Sequence, residues 1–84
     1  MPRSSSRKVK VVPMDIHAPF SSTVRYLVGE GDTVITGARL ATVETVKLEA
    51  AIQAPGPGQV TTLDFSDFDE VAGGDRILVL EAEA

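Results

Sequence analysis

The chain contains no cysteine, only one histidine and no long apolar run. Without cysteine it can form no disulfide, thiolate metal site or thiol nucleophile, and this composition is compatible with a reducing cytosol. His17 alone cannot supply a histidine-based metal site. No apolar stretch approaches the roughly 20 residues of a membrane span, and residues 1–10 do not resemble a signal peptide. We therefore expect a cytoplasmic protein that does not bind membranes.

Aromatic residues are also scarce, at 5% of the composition, so the core must be a thin layer of Val, Leu, Ile and Ala side chains. A chain of 84 residues forms one domain and is too short to enclose a deep catalytic cleft. These limits favour a non-catalytic binding or carrier role over a stand-alone enzyme.

The charge is distributed unevenly along the chain. Four of the eight basic residues lie within residues 1–10, whereas residues 11–84 contain four basic and twelve acidic residues, a net charge of −8. Nucleic-acid binding requires clustered Lys and Arg, so the acidic part of the chain argues against it. We predict a flexible basic arm over residues 1–10, without an assigned function, and a folded domain over residues 11–84.

The folded part is one motif written twice. The segment from His17 to Glu44 aligns with the segment from Gln53 to Glu81, first at an offset of 36 residues and then at 37. One extra residue in the second copy, within residues 64–69, accounts for the change of offset. The aligned pairs are Ala18/Ala54, Pro19/Pro55, Val24/Val60, Leu27/Leu63, Asp32/Asp69, Val34/Val71, Gly37/Gly74, Leu40/Ile77, Val43/Leu80 and Glu44/Glu81. Such a repeat predicts a domain with internal pseudo-two-fold symmetry.

Glycine- and proline-rich turns divide both copies into segments too short for helices. We predict an all-β fold, a flattened barrel or sandwich of about eight strands. The predicted strands cover residues 9–18, 22–28, 33–35, 39–45, 48–53, 59–65, 70–72 and 77–81. Residues 38–54 have helix-forming composition, but Leu40 to Glu44 aligns with the β-branched and aliphatic run from Ile77 to Glu81. The repeat therefore predicts strands here as well.

If both of these segments are strands, the chain must reverse within Thr45-Val46-Lys47-Leu48. Tight hairpins usually contain Asn-Gly or Asp-Gly, so this is poor turn chemistry. Local sequence that contradicts the required geometry is typical of functional sites. Lys47 is the only lysine after Lys10, with the apolar Val46 and Leu48 on either side and Glu44 and Glu49 nearby. Lys47 is therefore the candidate functional residue.

The stretch from Glu44 to Pro55, ETVKLEAAIQAP, resembles the attachment motif of the biotinyl/lipoyl attachment domain family, as do the Glu-Gly-Asp and Gly-Gly-Asp turns. The resemblance covers roughly residues 14–84. It implies that Lys47 receives biotin or lipoate through an amide bond, and that Glu44, Val46, Leu48 and Glu49 are recognised by the ligase or partner enzymes. Catalysis would belong to those partners.

The residues around Lys47 match neither cofactor signature of the family completely. Val46 and Leu48 stand where biotin carriers have Met on both sides of the lysine, and Glu49 is similar to the acidic residue that follows. Glu44 and Thr45 resemble instead the Glu-Thr pair of lipoyl domains, and Val46 is similar to the Val that precedes the modified lysine in glycine-cleavage carriers. The resemblance favours a biotin carboxyl carrier that serves carboxylase and carboxyltransferase subunits and is modified by a biotin protein ligase. The alternatives are a lipoyl carrier of a 2-oxo acid dehydrogenase or glycine-cleavage complex, modified by a lipoate ligase, and an unmodified interaction module.

Three other residues require an interpretation. His17, beside Ala-Pro at a strand end, is expected to be structural and not catalytic. Phe65 and Phe68 lie in the longer turn of the second copy. They are either core residues or an exposed contact, and we predict that they belong to the core.

Overall fold

The computed structural model describes residues 11–83, so the predicted basic arm over residues 1–10 lies outside the described part. Eight strands form the domain: β1 (Val11–His17), β2 (Ser22–Tyr26), β3 (Thr33–Val34), β4 (Arg39–Glu44), β5 (Glu49–Gln53), β6 (Gly58–Leu63), β7 (Glu70–Val71) and β8 (Arg76–Glu83). Within residues 11–83 there is no helix, and hence none that could span a membrane. The all-β prediction is confirmed.

The strands form two antiparallel four-stranded sheets. The first, here called the terminal sheet, has the order β1-β8-β6-β3, and the second, the tip sheet, has the order β5-β4-β2-β7. Exchanging β1–β4 with β5–β8 converts one order into the other. The sequence repeat therefore describes real symmetry, in which each sheet contains strands from both copies. The alignment is wrong on one point, because the extra residue of the second copy is Thr61, a bulge in β6, and does not lie within residues 64–69. Residues 38–54 form β4 and β5, as the repeat predicts and helix propensity does not.

Hydrogen bonds in the turns repeat with the same symmetry. The Gly37 N–H donates to the Ala54 carbonyl at 2.8 Å, and the symmetry-related Gly74 N–H donates to the Ala18 carbonyl at 2.8 Å. In the longer turns, the Gly31 N–H donates to Val60 at 2.7 Å and the Phe68 N–H donates to Val24 at 2.7 Å. Phe68 thus occupies the position of Gly31, and its φ of 70° lies in the left-handed region that glycine favours.

The core lies between the sheets and consists of small aliphatic side chains, as predicted. Burying these side chains is the main source of the domain's stability. The fully buried large side chains are Leu40, Ile77, Leu78, Leu80, Val24, Val43 and Val60.

The prediction for the two phenylalanines is half right. Phe65 packs against the core, but Phe68 is 69% exposed, so its assignment to the core is wrong. The reason is the turn geometry, because the left-handed residue lies at the outer corner of the turn in both copies, and nothing lies within 4 Å of a Cβ atom built on Gly31.

Residues 9 and 10 of the predicted first strand lie outside the described part. Most of the other strands are one or two residues shorter than predicted, although β6 begins at Gly58 and β8 extends from Arg76 to Glu83. The predicted second strand continues to residue 28, whereas β2 ends at Tyr26. Beyond Ser22 and Thr23, the residues that pair with β7, the Tyr26 N–H donates to the carboxylate of Asp67 in the longer turn, at 2.8 Å. A side chain there takes the place of a neighbouring strand.

Candidate functional site

The β4–β5 hairpin places Lys47 at its tip. Glu44 and Glu49 are the last paired residues, and the Thr45 N–H donates to the Leu48 carbonyl at 2.7 Å. Val46 and Lys47 are therefore the two residues at the turn itself. The predicted reversal within residues 45–48 is confirmed.

Thr45 stabilises this turn with its side chain. Its Oγ1 accepts hydrogen bonds from the backbone N–H of Lys47 at 3.2 Å and of Leu48 at 3.0 Å. Neither Val46 nor Lys47 has a positive φ, so the turn does not need the Asn-Gly chemistry of the commonest tight hairpins. A threonine two residues before the lysine is the signal that sequence reasoning missed, because Ser and Thr hydroxyls often close turns in this way.

All three residues around the turn are accessible. Lys47 is exposed, Val46 is 102% exposed and Leu48 is 58% exposed. Exposing two aliphatic side chains costs hydrophobic free energy that the fold could have gained by burying them. The tip therefore presents an amine between two apolar contact residues, which suits a lysine that must enter the active site of another protein.

A row of carboxylates crosses the tip sheet next to the hairpin tip. Glu49 pairs with Glu44, Glu44 pairs with Thr23, and Thr23 pairs with Glu70 on its other side. All three glutamates are exposed, and none forms an ion pair with another residue of the described range 11–83. We call Glu49, Glu44, Thr23 and Glu70 the acidic row. The sequence indicated Glu44 and Glu49 but not Glu70, which only the β2–β7 pairing brings to this row.

A groove of about 530 Å³ adjoins the tip and is lined in part by Thr45, Val46, Glu44 and Glu70. Its symmetry mate, of about 590 Å³, is lined by Val11, Pro57 and Ala82, among others. At the end of the β4–β5 hairpin away from the tip, the Ala54 N–H donates to the Ala38 carbonyl. Pro57, three residues further along the chain, lines the second groove, so this groove lies at the end of the domain opposite Lys47. The fold thus creates a groove at each end of the domain. The groove at the tip differs from the other one only in the residues that line it.

The turn from Asp64 to Asp69 is held firmly against the body of the domain. Arg76 donates two hydrogen bonds to the Asp64 carboxylate, at 2.9 and 3.0 Å, a bidentate ion pair. The Tyr26 hydroxyl donates to the Ile77 carbonyl at 2.6 Å and accepts from the Phe65 N–H at 3.1 Å. These contacts fix both sides of the turn that carries Phe68, and sequence reasoning missed the role of Tyr26.

Partial burial, the largest of several causes, raises the pKa of Tyr26 above its usual value of 10.0. A raised pKa means that the neutral phenol stabilises the fold fully below pH 10 and that this stability is lost as the pH rises through the raised value. We expect Tyr26→Phe to lower the free energy of unfolding by about 1 kcal/mol at neutral pH, because two hydrogen bonds are lost. We also expect it to reduce the fall in stability above pH 10.

Urea unfolding at neutral pH and above pH 10 measures these two effects. Because Tyr26 is the only tyrosine, the ultraviolet absorbance of tyrosinate reports its titration directly. Ionisation of Tyr26 at or below the usual pKa of tyrosine, about 10, would contradict the prediction.

His17 and the acidic residues are not expected to form a catalytic or metal site. His17 hydrogen-bonds through Nδ1 to the Gly74 carbonyl at 3.0 Å. Within residues 11–83, no group of three or more His, Cys, Asp or Glu residues could hold a metal ion.

This geometry, a lysine at the exposed tip of a hairpin in a two-fold β sandwich, agrees with a known protein family. The family model Biotin_lipoyl, described as "Biotin-requiring enzyme", matches residues 11–80. The chain belongs to this family of biotinyl/lipoyl attachment domains. Members are non-catalytic carrier domains of multi-component enzymes, and that is the class of function of this domain.

The chain is similar in sequence to an acyltransferase component and in fold to parts of two carboxylases. The chain is 32% identical over 79 residues to the dihydrolipoyllysine-residue succinyltransferase component of the mitochondrial 2-oxoglutarate dehydrogenase complex of Saccharomyces cerevisiae, covering 94% of this chain and 17% of the relative. The fold of the chain is similar to part of a single-chain, multi-domain long-chain acyl-CoA carboxylase, with a TM-score of 0.74 and 25% identity. The match covers 80% of this chain and 7% of the carboxylase. The fold is also similar to part of the Kluyveromyces lactis urea carboxylase, with a TM-score of 0.75 and 20% identity. That match covers 88% of this chain and 7% of the carboxylase. The chain thus spans only a small part of each relative.

Proposed function

We propose that Lys47 is the attachment site and that its cofactor is biotin, which when bound carries a carboxyl group between two active sites of a carboxylase or decarboxylase. The observation that carries this proposal is the exposed tip itself, with the Lys47 amine between the exposed apolar side chains of Val46 and Leu48. An apolar residue on both sides is similar to the Met-Lys-Met arrangement of biotin carriers. It differs from the aspartate that precedes the lysine in many lipoyl domains.

The residues at the tip suit the attachment chemistry. A lysine amine has a usual pKa near 10.4 and is mostly protonated at neutral pH, so the ligase must help to deprotonate it and must supply an activated acyl group. Lys47 needs only to be exposed and held in place, which the Thr45 hydroxyl achieves through its bonds to the turn. The partners of the carrier would then be a biotin protein ligase and the carboxylase and carboxyltransferase subunits.

Lipoate is the second candidate. Glu44 and Thr45 favour it, as does the yeast relative, whose name contains the lipoyl-lysine residue. In that case a lipoate ligase and the subunits of a 2-oxo acid dehydrogenase or glycine-cleavage complex would be the partners.

Co-expression with a biotin protein ligase or with a lipoate ligase, followed by intact mass spectrometry, tests the proposal. We expect one biotinyl group per chain with the first enzyme and no gain with the second. A lipoyl gain instead would identify the second candidate, and no gain with either ligase would overturn the carrier function. Trypsin locates the group, because acylation of Lys47 prevents cleavage there and joins residues 40–47 to residues 48–76.

A further inference from the structure

The pseudo-two-fold symmetry offers an internal reference for what the fold itself requires. The strand pairings of the tip sheet recur in the terminal sheet, so its paired residues have symmetry mates there, apart from a bulge at Thr61 in β6. A side chain that both copies share can be explained by the fold. A side chain that only the tip sheet has requires another explanation, and the acidic row and its neighbours contain several of these.

The acidic row is not reproduced in the terminal sheet. The symmetry mates of Glu49, Glu44, Thr23 and Glu70 form the row Pro13, Glu81, Gln59 and Thr33, connected by the same pairings. The tip sheet thus has three carboxylates where the terminal sheet has one. Like charges directly opposite each other on a sheet are destabilising, as for Glu44 and Glu49. The fold does not need these charges and is weakened by them.

Phe68 shows the same contrast. Its mate Gly31 adopts the positive φ at no steric cost, whereas a phenylalanine there costs about 1 kcal/mol or more of backbone strain. Its ring is 69% exposed, and the Arg25 guanidinium lies over it at 5.9 Å from the ring centroid. Arg25 stands one row behind the acidic row, opposite Thr42, and the equivalent residue in β6 is Thr62, which pairs with Val79. An exposed aromatic ring on a strained backbone, held by a cation on one side, is suited to be a contact residue for a partner.

Resting on the proposed carrier function, we propose that the outer face of the tip sheet is the docking surface for the ligase that acylates Lys47. Phe68 inserts into an apolar pocket of the ligase, and Glu49 and Glu70 meet Lys or Arg side chains around it. The ligase is the partner that this charge fits, because an acyl group activated through a phosphate is anionic and is held by cationic side chains. A cationic active-site entrance attracts a row of carboxylates next to the target amine.

The test replaces individual residues by their own symmetry mates, Phe68→Gly and Glu70→Thr, because the fold already accepts those residues in the equivalent places. Glu81→Gln in the terminal sheet is the matched control, since it removes one carboxylate from the mate of the acidic row. Steady-state acylation kinetics use the unmodified domain and whichever ligase modifies the wild-type chain, at low and high salt. Thermal unfolding of every variant checks the fold, and Phe68→Ala and Glu70→Gln take the place of any variant that is unfolded.

We expect Phe68→Gly and Glu70→Thr each to lower kcat/KM at least about fivefold, mainly through a higher KM, and Glu81→Gln to stay within about twofold of wild type. Glu70→Thr should also weaken the dependence of kcat/KM on salt. Wild-type kinetics in both tip-sheet variants would overturn the docking surface, and so would an equal loss in Glu81→Gln, which would make total charge the cause. Failure of the wild-type chain to be acylated would instead overturn the carrier function.

Discussion

Lys47→Arg is expected to abolish acylation completely while leaving the fold unchanged. The guanidinium is protonated at all accessible pH values and cannot act as the nucleophile in amide formation. Because Lys47 is exposed and makes no side-chain hydrogen bond or ion pair within residues 11–83, its replacement should change the free energy of unfolding by no more than about 0.5 kcal/mol. Intact mass after co-expression with the ligase measures the first effect, and urea unfolding measures the second.

The matched control is Arg39→Lys, which adds an exposed lysine at the far end of β4, so that residues 11–83 contain two. If the tip geometry selects the residue to be acylated, this variant gains one acyl group, on Lys47, and none on the new lysine. Acylation of the new lysine at a similar rate would show that the ligase selects any accessible amine. Residual acylation of Lys47→Arg would show that another lysine is the attachment site.

Leu80→Ala is expected to lower the free energy of unfolding by about 2–5 kcal/mol. Leu80 lies in β8, which pairs with both β1 and β6, and its side chain is fully buried. The substitution removes apolar contacts and leaves a cavity in a core that contains few large side chains. Small domains have little stability to spare, so we expect much of the variant to be unfolded at 37 °C, a usual growth temperature.

Leu27→Ala makes the same chemical change at a side chain that is 49% exposed, and we expect it to cost about 1 kcal/mol or less. Urea unfolding monitored by circular dichroism compares the two variants directly. A loss of less than about 1.5 kcal/mol for Leu80→Ala would contradict the importance of this part of the core.

Much of the fold could be predicted because the chain contains its motif twice. Residues 38–54 alone favour a helix, but the alignment with Ile77 to Glu81 predicts the strand that the structure contains. The position of Lys47 follows from the same argument, since the hairpin has to turn where β4 and β5 meet.

The missed features depend on contacts between residues far apart in sequence. Glu70 joins the acidic row only through the pairing of β2 with β7, and Tyr26 reaches Ile77 and Phe65 across the interior. Phe68 was misassigned because an aromatic residue is usually buried, whereas here the backbone position, the mate of Gly31, determines that the ring points outward. Thr45 was the exception, since its role is local and typical of threonine in turns.

The positions of the two chain ends also determine how far Lys47 could reach if the domain were tethered to another protein. Val11 and Ala82 line the groove opposite Lys47, so a polypeptide joined before β1 or after β8 would leave from the end away from the tip. The length of the sandwich, about 20 Å for a six-residue strand such as β4, would then act as a rigid spacer between the tether and the lysine. A flexible linker would supply the search volume, and the domain body would add a fixed extension beyond it. Moving the tether to the tip end would remove that extension and shorten the reach of the arm by nearly the full length of the domain.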